Sequence, residues 1–212
     1  RSLTIVAAGV VLLAMFKSFR ALKSAAEHDA TVDVLTGLHN RREAYGRLPR
    51  MVEHARRRGT PLGIVSLDLD WFKAINDVHG HAIGDTVLAD VADILRGHLR
   101  SFELIYRIGG EEFLILMPGV DRAGGRVVAE RLREAFERAR PGGQDVTASF
   151  GVAMATGAAV QFDPLFDAAD KALYRAKDEG RNRVVLAPEL RAEVPVPAVG
   201  AVLPDRIGMS VR

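Results

Sequence analysis

Four carboxylates in two short runs carry the most pointed chemistry in the chain. Asp68 and Asp70 flank Leu69 at the C-terminal end of LGIVSLDLD, and Glu111 and Glu112 follow Gly109-Gly110. Side chains alternate along a strand, so Asp68 and Asp70 are expected on one face, leaving the sheet together at its rim. A strand end and a neighbouring turn that bring carboxylates together suit a hard divalent cation, with coordination left for phosphate and water. One strand-end aspartate alone reads as a cap or turn residue; two converging clusters point to metal. Directly after the first cluster, Trp71-Phe72-Lys73-Ala74-Ile75-Asn76-Asp77 opens a helix. A helix N-terminus offers free N–H groups and a positive dipole end to a phosphate, and Lys73 adds a charge. The side chains of Trp71 and Phe72 read as core, with their backbone amides left for binding. Lys177 and Arg181 stand one turn apart near a helix end, where cations also offset the dipole, so the pair is open to either use. Gly80 to Asp85 reads as a glycine-bearing turn, with His81 structural. The chain has no Walker A sequence or HExxH pattern, and nothing in it marks a Ser-His-Asp triad.

These residues need elements to hold them. Residues 41–58 read as a helix closed by Gly59 and Pro61, and 62–70 is apolar enough for a central strand. Two helical stretches follow, 71–78 and 83–99. Residues 103–108 and 112–117 are short strands around Gly109-Gly110, a pair able to take the positive φ of a hairpin turn. A helix over 121–138, a strand over 146–154, a helix over 163–178 and a last strand over 183–186 complete the pattern. The expected fold is α/β in the α+β sense, a mainly antiparallel five-stranded sheet covered by helices, with no internal repeat.

Composition narrows the function. The 212 residues are 48% apolar and 26% charged, enough for a folded core and for one domain with appendages. Lys plus Arg number 29 against 27 for Asp plus Glu, a net charge of +2 that argues against a nucleic-acid partner. The absence of cysteine excludes disulfides, thiolate zinc sites and cysteine nucleophiles, so a metal must use oxygen or imidazole. Residues 3–16 carry no charge and are followed by Lys17, Arg20 and Lys23. A full span needs about 20 apolar residues, and flanking cations favour the cytoplasmic side, so 1–16 is expected to be the end of a transmembrane helix. A signal-peptide core and a buried helix of an upstream domain are the alternatives. Phe19, Leu22, Ala26 and Ala30 share one helical face, which makes 17–32 a connecting helix. Pro188, Pro195, Pro197 and Pro204 interrupt the other end, so 187–212 is expected to be a disordered tail. Residues 33–186 remain as the domain that carries the site.

Five segments in fixed order resemble the GGDEF family of diguanylate cyclases from Asp33 to Leu186. They are DVLTGLHNRR at 33–42, LDLDWFKAINDVHGHAIGD at 67–85, RIGGEEF at 107–113, TASFGVA at 147–153 and ADKALYRAKDEGRNRV at 169–184. The signature here is the Glu-containing variant Gly109-Gly110-Glu111-Glu112-Phe113. The resemblance implies a nucleotidyl-cyclase palm-like fold and condensation of two GTP into cyclic di-GMP with release of two pyrophosphates. It implies Mg²⁺, with Mn²⁺ as the alternative, held by the carboxylates of Asp68 and Glu111 and the carbonyl of Leu69. Asn76 and Asp85 would read the guanine edge; adenine would leave the Asp85 acceptor unpaired. Phe72, Lys73, Lys177 and Arg181 would lie at the phosphates, and Gly109 and Gly110 would let the nucleotide approach the backbone. Glu112 would lie near the 3′-hydroxyl and help deprotonate it, so that Asp68, Glu111, Glu112 and Lys177 form the catalytic set.

Each such domain holds one GTP, so ring closure implies a homodimer, with the connecting helix governing the encounter under an upstream sensor. The catalytic domain would be cytoplasmic and anchored to the inner membrane. Family members with product inhibition carry Arg-x-x-Asp five residues before the signature, whereas this chain has Arg100-Ser101-Phe102-Glu103. Glutamate keeps the charge but adds a methylene, and Arg131 matches a second product-contacting arginine. The competing readings are a non-enzymatic GGDEF module and a cyclase making another dinucleotide. Retention of Asp68, Glu111, Asn76, Asp85, Lys177 and Arg181 argues against the first, and Asp85 against the second.

Overall fold

The run LGIVSLDL forms the middle of the sheet because all of it but Ser66 and Asp68 is apolar or glycine. In the computed structural model, which describes residues 31–190, all eight residues of β2 (Leu62–Leu69) are buried. The other strands are β1 (His39–Asn40), β3 (Leu104–Arg107), β4 (Glu112–Pro118), β5 (Ala148–Ala155) and β6 (Val184–Leu186), arranged β1-β3-β4-β2-β5-β6. The three inner pairings β3–β4, β4–β2 and β2–β5 are antiparallel, and the outer pairs β1–β3 and β5–β6 are parallel. The sheet has six strands rather than the five expected. The extra one, His39–Asn40, is too short to show a period of two and exists through its pairing with Tyr106 and Arg107.

Five α-helices cover the sheet among the described residues. Strand alternation sorts the core into two layers. Leu62, Ile64, Leu114 and Leu116 pack with α1 (Arg41–Arg58) and α5 (Phe162–Asp178). Leu67, Leu69, Phe113 and Phe150 pack with α3 (His81–His98) and α4 (Arg122–Ala139) on the other face. The short α2 (Phe72–His79) links β2 to α3 at the rim. Helix starts follow local chemistry: Asn40 accepts from the Glu43 amide at 3.0 Å and Asp121 from the Gly124 amide at 2.8 Å. Helix α5 lies directly on β5, where a Cβ at Gly151 would run into the Ala169 carbonyl and the Leu173 amide. That close approach brings the end of α5 down to the C-terminal end of β2.

Four expectations shift. Gly109 and Gly110 do not take positive φ. The β3–β4 connection is a longer loop, closed by the Ile108 amide on the Glu112 carbonyl at 2.9 Å and by Arg107, which donates to the Gly110 carbonyl at 2.7 and 3.1 Å. Arg181 lies beyond the end of α5, which stops at Asp178, in the left-handed region at φ 63°. The connecting helix does not reach 32, because Val32 forms an antiparallel bridge with His39. The packed domain continues past 186: the Ala187 amide donates to Val152, its carbonyl accepts from Arg122, and its side chain is buried. The expected membrane segment, the rest of the connecting helix and most of the tail lie outside the described residues. Among the described residues, no helix is long and apolar enough to cross a membrane.

Candidate active site

The acidic site is built by register. Asp68 stands directly opposite Glu112 across the β2–β4 pair, and the Leu69 amide donates to the Glu111 carbonyl at 3.3 Å, which ties the signature turn to the end of β2. Like charges opposed across a sheet repel, so this arrangement calls for a cation. Lys177, from the end of α5, supplies one: its ammonium lies 2.7 Å from Asp68 Oδ2. Burial pushes the Asp68 carboxyl above its ordinary range, the Lys177 ammonium pulls it back, and the charges of Glu111 and Glu112 push it up again. Among the described residues, no three His, Cys, Asp or Glu side chains enclose a metal by themselves. Two carboxylates and the Leu69 carbonyl instead match the donor set of a hard cation that takes its remaining ligands from substrate phosphates and water.

Helices α2 and α3 meet closely beyond the end of β2. Asn76, half-buried on α2, lies against α3 at Gly84, where a Cβ would collide with its amide oxygen; Asp85 follows, exposed. The glycine thus lets Asn76 approach α3 directly beside Asp85, the other expected base-reading residue. Trp71, the residue before α2, gives it no side-chain cap, so the first-turn N–H groups at Phe72 and Lys73 have no acceptor from that position. Phe72 is buried in the core as expected, but Trp71 is not: 66% of it is exposed. The Glu112 carboxylate lies over Gly109, where a Cβ would have to push it aside, whereas Gly110 faces open surroundings.

Asp70 shares a face with Asp68 but is spent. It accepts from Thr147 Oγ1 at 2.8 Å, Ser149 Oγ at 2.7 Å and the Asn182 amide at 3.0 Å, which fastens the loop carrying Arg181 to the strand end. A further contact was not singled out from the sequence. Arg107, which holds the Gly110 carbonyl, also pairs with Asp33 at 2.9 Å. Partial burial would raise the Asp33 carboxyl, but hydrogen bonds from Thr36 and Arg107 bring it below its ordinary value. Both residues sit inside quoted motifs, DVLTGL and RIGGEEF, so the signal was present without its partner.

The Arg100–Glu103 corner lies at the α3–β3 junction. Glu103 is buried and turns its carboxylate back to the Arg100 amide at 2.7 Å, while the Glu103 amide donates to the Arg100 carbonyl at 3.0 Å. Arg131 donates to the His98 carbonyl at 2.6 Å, two residues before Arg100. The two arginines therefore flank one corner, with the Glu103 carboxylate facing its own backbone. A cavity of about 500 Å³ between α5 and Ala187–Leu190 contains none of the site residues. Chemistry, not cavity size, identifies the acidic site.

Residues 30–183 match the family model described as diguanylate cyclase, GGDEF domain. The chain is similar to the response regulator PleD of Caulobacter vibrioides, 41% identical over 164 residues, which are 74% of this chain and 36% of PleD. It therefore spans about a third of the length of that relative. Among solved structures it resembles the diguanylate cyclase SiaD of Pseudomonas aeruginosa, crystallised with its activator SiaC. The TM-score is 0.69 at 35% identity, covering 84% of this chain and 69% of that one. It also resembles the active GGEEF domain of a diguanylate cyclase from Vibrio cholerae, with a TM-score of 0.67 at 30% identity, covering 71% of this chain and 97% of that one.

Proposed function

The chain belongs to the diguanylate cyclase GGDEF domain family, and from that premise we propose that it condenses two GTP into cyclic di-GMP with release of two pyrophosphates. One observation carries the reading: Asp68, Glu111 and Glu112 crowd the joined ends of β2 and β4 beside Lys177. The SiaD and Vibrio cholerae domains it resembles are both described as diguanylate cyclases, the latter as an active GGEEF domain.

The family works with a divalent metal, proposed here to be Mg²⁺, with Mn²⁺ as the alternative. Asp68, Glu111 and the Leu69 carbonyl would hold it, and when bound it would acidify the attacking 3′-hydroxyl and neutralise charge on the departing pyrophosphate. Lys177 and Arg181, with Lys73 and the first-turn amides of α2 at Phe72, bind the phosphates. The carboxylate of Asp85 accepts from guanine N1–H and the exocyclic amine, and Asn76 reads the same edge. Glu112 accepts the 3′-hydroxyl proton. Gly109 and Gly110 leave room for the nucleotide beside the signature loop.

One chain offers one such half-site, so ring closure needs a second copy facing it, and the partner proposed is a homodimer. Membrane anchoring through residues 1–16, with the catalytic domain on the cytoplasmic side of the inner membrane, rests on the apolar run and the cations after it. Arg100 and Arg131 with Glu103 are proposed as a product-binding corner in which the arginines supply the contacts, because Glu103 is engaged with the Arg100 amide.

The test is incubation of the chain with GTP and Mg²⁺ across a range of protein concentrations, with Glu111→Ala in parallel and nucleotides separated by chromatography. Cyclic di-GMP rising more steeply than linearly with enzyme, and absent from the mutant, is expected. GTP bound but not turned over at any concentration, even with forced dimerisation, would leave a regulatory module instead.

A further inference from the structure

Three non-glycine residues in the left-handed region meet beside the phosphate-binding end of the site: Trp71 at φ 58°, Arg181 at 63° and Asn182 at 43°. Asparagine tolerates this conformation, whereas a bulky tryptophan or a long arginine adopts it at a cost and only where the surroundings enforce it. The enforcement is visible. Asp70, at the end of β2, accepts from the Asn182 amide, and Trp71, the next residue, lies under Arg181 with the guanidinium carbon 3.9 Å from its ring centroid. Two consecutive residues of the strand end thus grip two consecutive residues of the loop after α5. The backbone of that loop is tied back by the Arg181 amide on the Ala176 carbonyl at 2.9 Å. The indole buries little in return, being 66% exposed. Core packing therefore does not explain a strained tryptophan here, and the stacked arginine does.

We propose that Trp71 is a positioning residue that holds the Arg181 guanidinium, by stacking beneath it, in the orientation that meets the nucleotide's phosphates. The inference rests on the cyclase reading only for the identity of the anion. A guanidinium on a free loop loses rotamer freedom each time it meets a phosphate. Arg181, stacked on the indole and held by a long Nη1 donation to the Lys177 carbonyl at 3.5 Å, has lost it beforehand and keeps its other N–H donors for oxygen.

Trp71 is the only tryptophan in the chain, so the stack has its own spectroscopic reporter. Without nucleotide, Arg181→Ala should shift the indole emission and raise its quenching by acrylamide, because one ring face is uncovered; identical emission and quenching would overturn the stack. Binding of GTP with Mg²⁺ to the full chain is then measured for Trp71→Gly, Trp71→Phe, Arg181→Ala and the double variant. Glycine adopts the left-handed backbone freely, so Trp71→Gly should melt no lower than the wild type while GTP affinity falls about three- to tenfold. Trp71→Phe, which keeps a ring under the guanidinium, should recover affinity to within about twofold. In the Arg181→Ala background, Trp71→Gly should cost nothing further.

Unchanged affinity in Trp71→Gly, a melting loss in step with the affinity loss, or full additivity in the double variant would each overturn the proposal. So would an effect on dimerisation with GTP affinity intact. Failure of the cyclase reading looks different: Trp71-dependent GTP binding with no cyclic di-GMP formed would leave the positioning role standing. Cyclic di-GMP made with an unaltered KM in Trp71→Gly would remove the positioning role alone.

Discussion

Asp68 and Asp70 stand two residues apart on one face of one strand end, yet their surroundings are opposite. Asp70 accepts from two hydroxyls and a backbone amide, all neutral donors aimed at it. Asp68 faces Glu112 across the ladder, feels Glu111, and has the Lys177 ammonium as its cation. The same division runs through the rest of the molecule. Glu103 closes on its own turn and Asp33 is held by Thr36 and Arg107, whereas Glu111 and Glu112 lie with Asp68 at the rim. A carboxylate whose oxygens are met by fixed donors holds the architecture; carboxylates set against one another hold a place for a cation and a substrate.

Removing each member of the pair separates the two roles. Asp68→Asn should lower GTP turnover by about 10²–10³-fold or more. Its melting temperature should stay level or rise, because a buried charge opposed by Glu112 is no asset to the fold. Asp70→Ala should instead strand the Thr147 and Ser149 hydroxyls and the Asn182 amide and cost about 2–4 kcal/mol. That corresponds to a melting point lower by roughly 5–10 °C. Calorimetry and a turnover assay on both variants check the contrast; equal melting losses would erase it.

The acid limb of stability tests the satisfied class further. Folding lowers the Asp33 carboxyl from its ordinary value of 3.8. Its contribution is therefore fully present above that value and is lost as pH falls through the depressed folded one. Urea unfolding should find wild type more stable than Asp33→Asn above about pH 5, with the gap closing below about pH 4. A constant gap would mean that the Arg107 pairing does not set the shift. The smallest effect is expected at the corner. Glu103→Gln keeps an acceptor for the Arg100 amide, so it should cost less than about 1 kcal/mol and leave inhibition by added cyclic di-GMP unchanged. Loss of inhibition in that variant would show Glu103 turning outward to the product.

Much of this was legible before folding was considered. The dense run at 62–69 announced a buried strand, the alternation at 68 and 70 put both aspartates on one face, and five ordered motifs pointed to the family. Trp71 was misread because an aromatic at a helix start is usually core; only its left-handed backbone turns it outward. The Gly109-Gly110 pair suggested a primed turn, but the Arg107 side chain closes a longer loop on the Gly110 carbonyl three residues on, a contact that turn-residue chemistry does not signal. Arg181 counts as one turn from Lys177 in sequence, yet the helix ends between them.

By itself, then, the sequence determined the donor types, the strand that carries Asp68 and the absence of thiolate chemistry, since composition and period are local properties. Tertiary structure alone decided which carboxylates would be satisfied and which left crowded, that Lys177 reaches Asp68 from a helix more than a hundred residues later, and that Arg181 rests on Trp71. Those outcomes depend on strand register and on how closely α5 settles at Gly151. Both are set by packing across the sheet, which no stretch of chain contains alone.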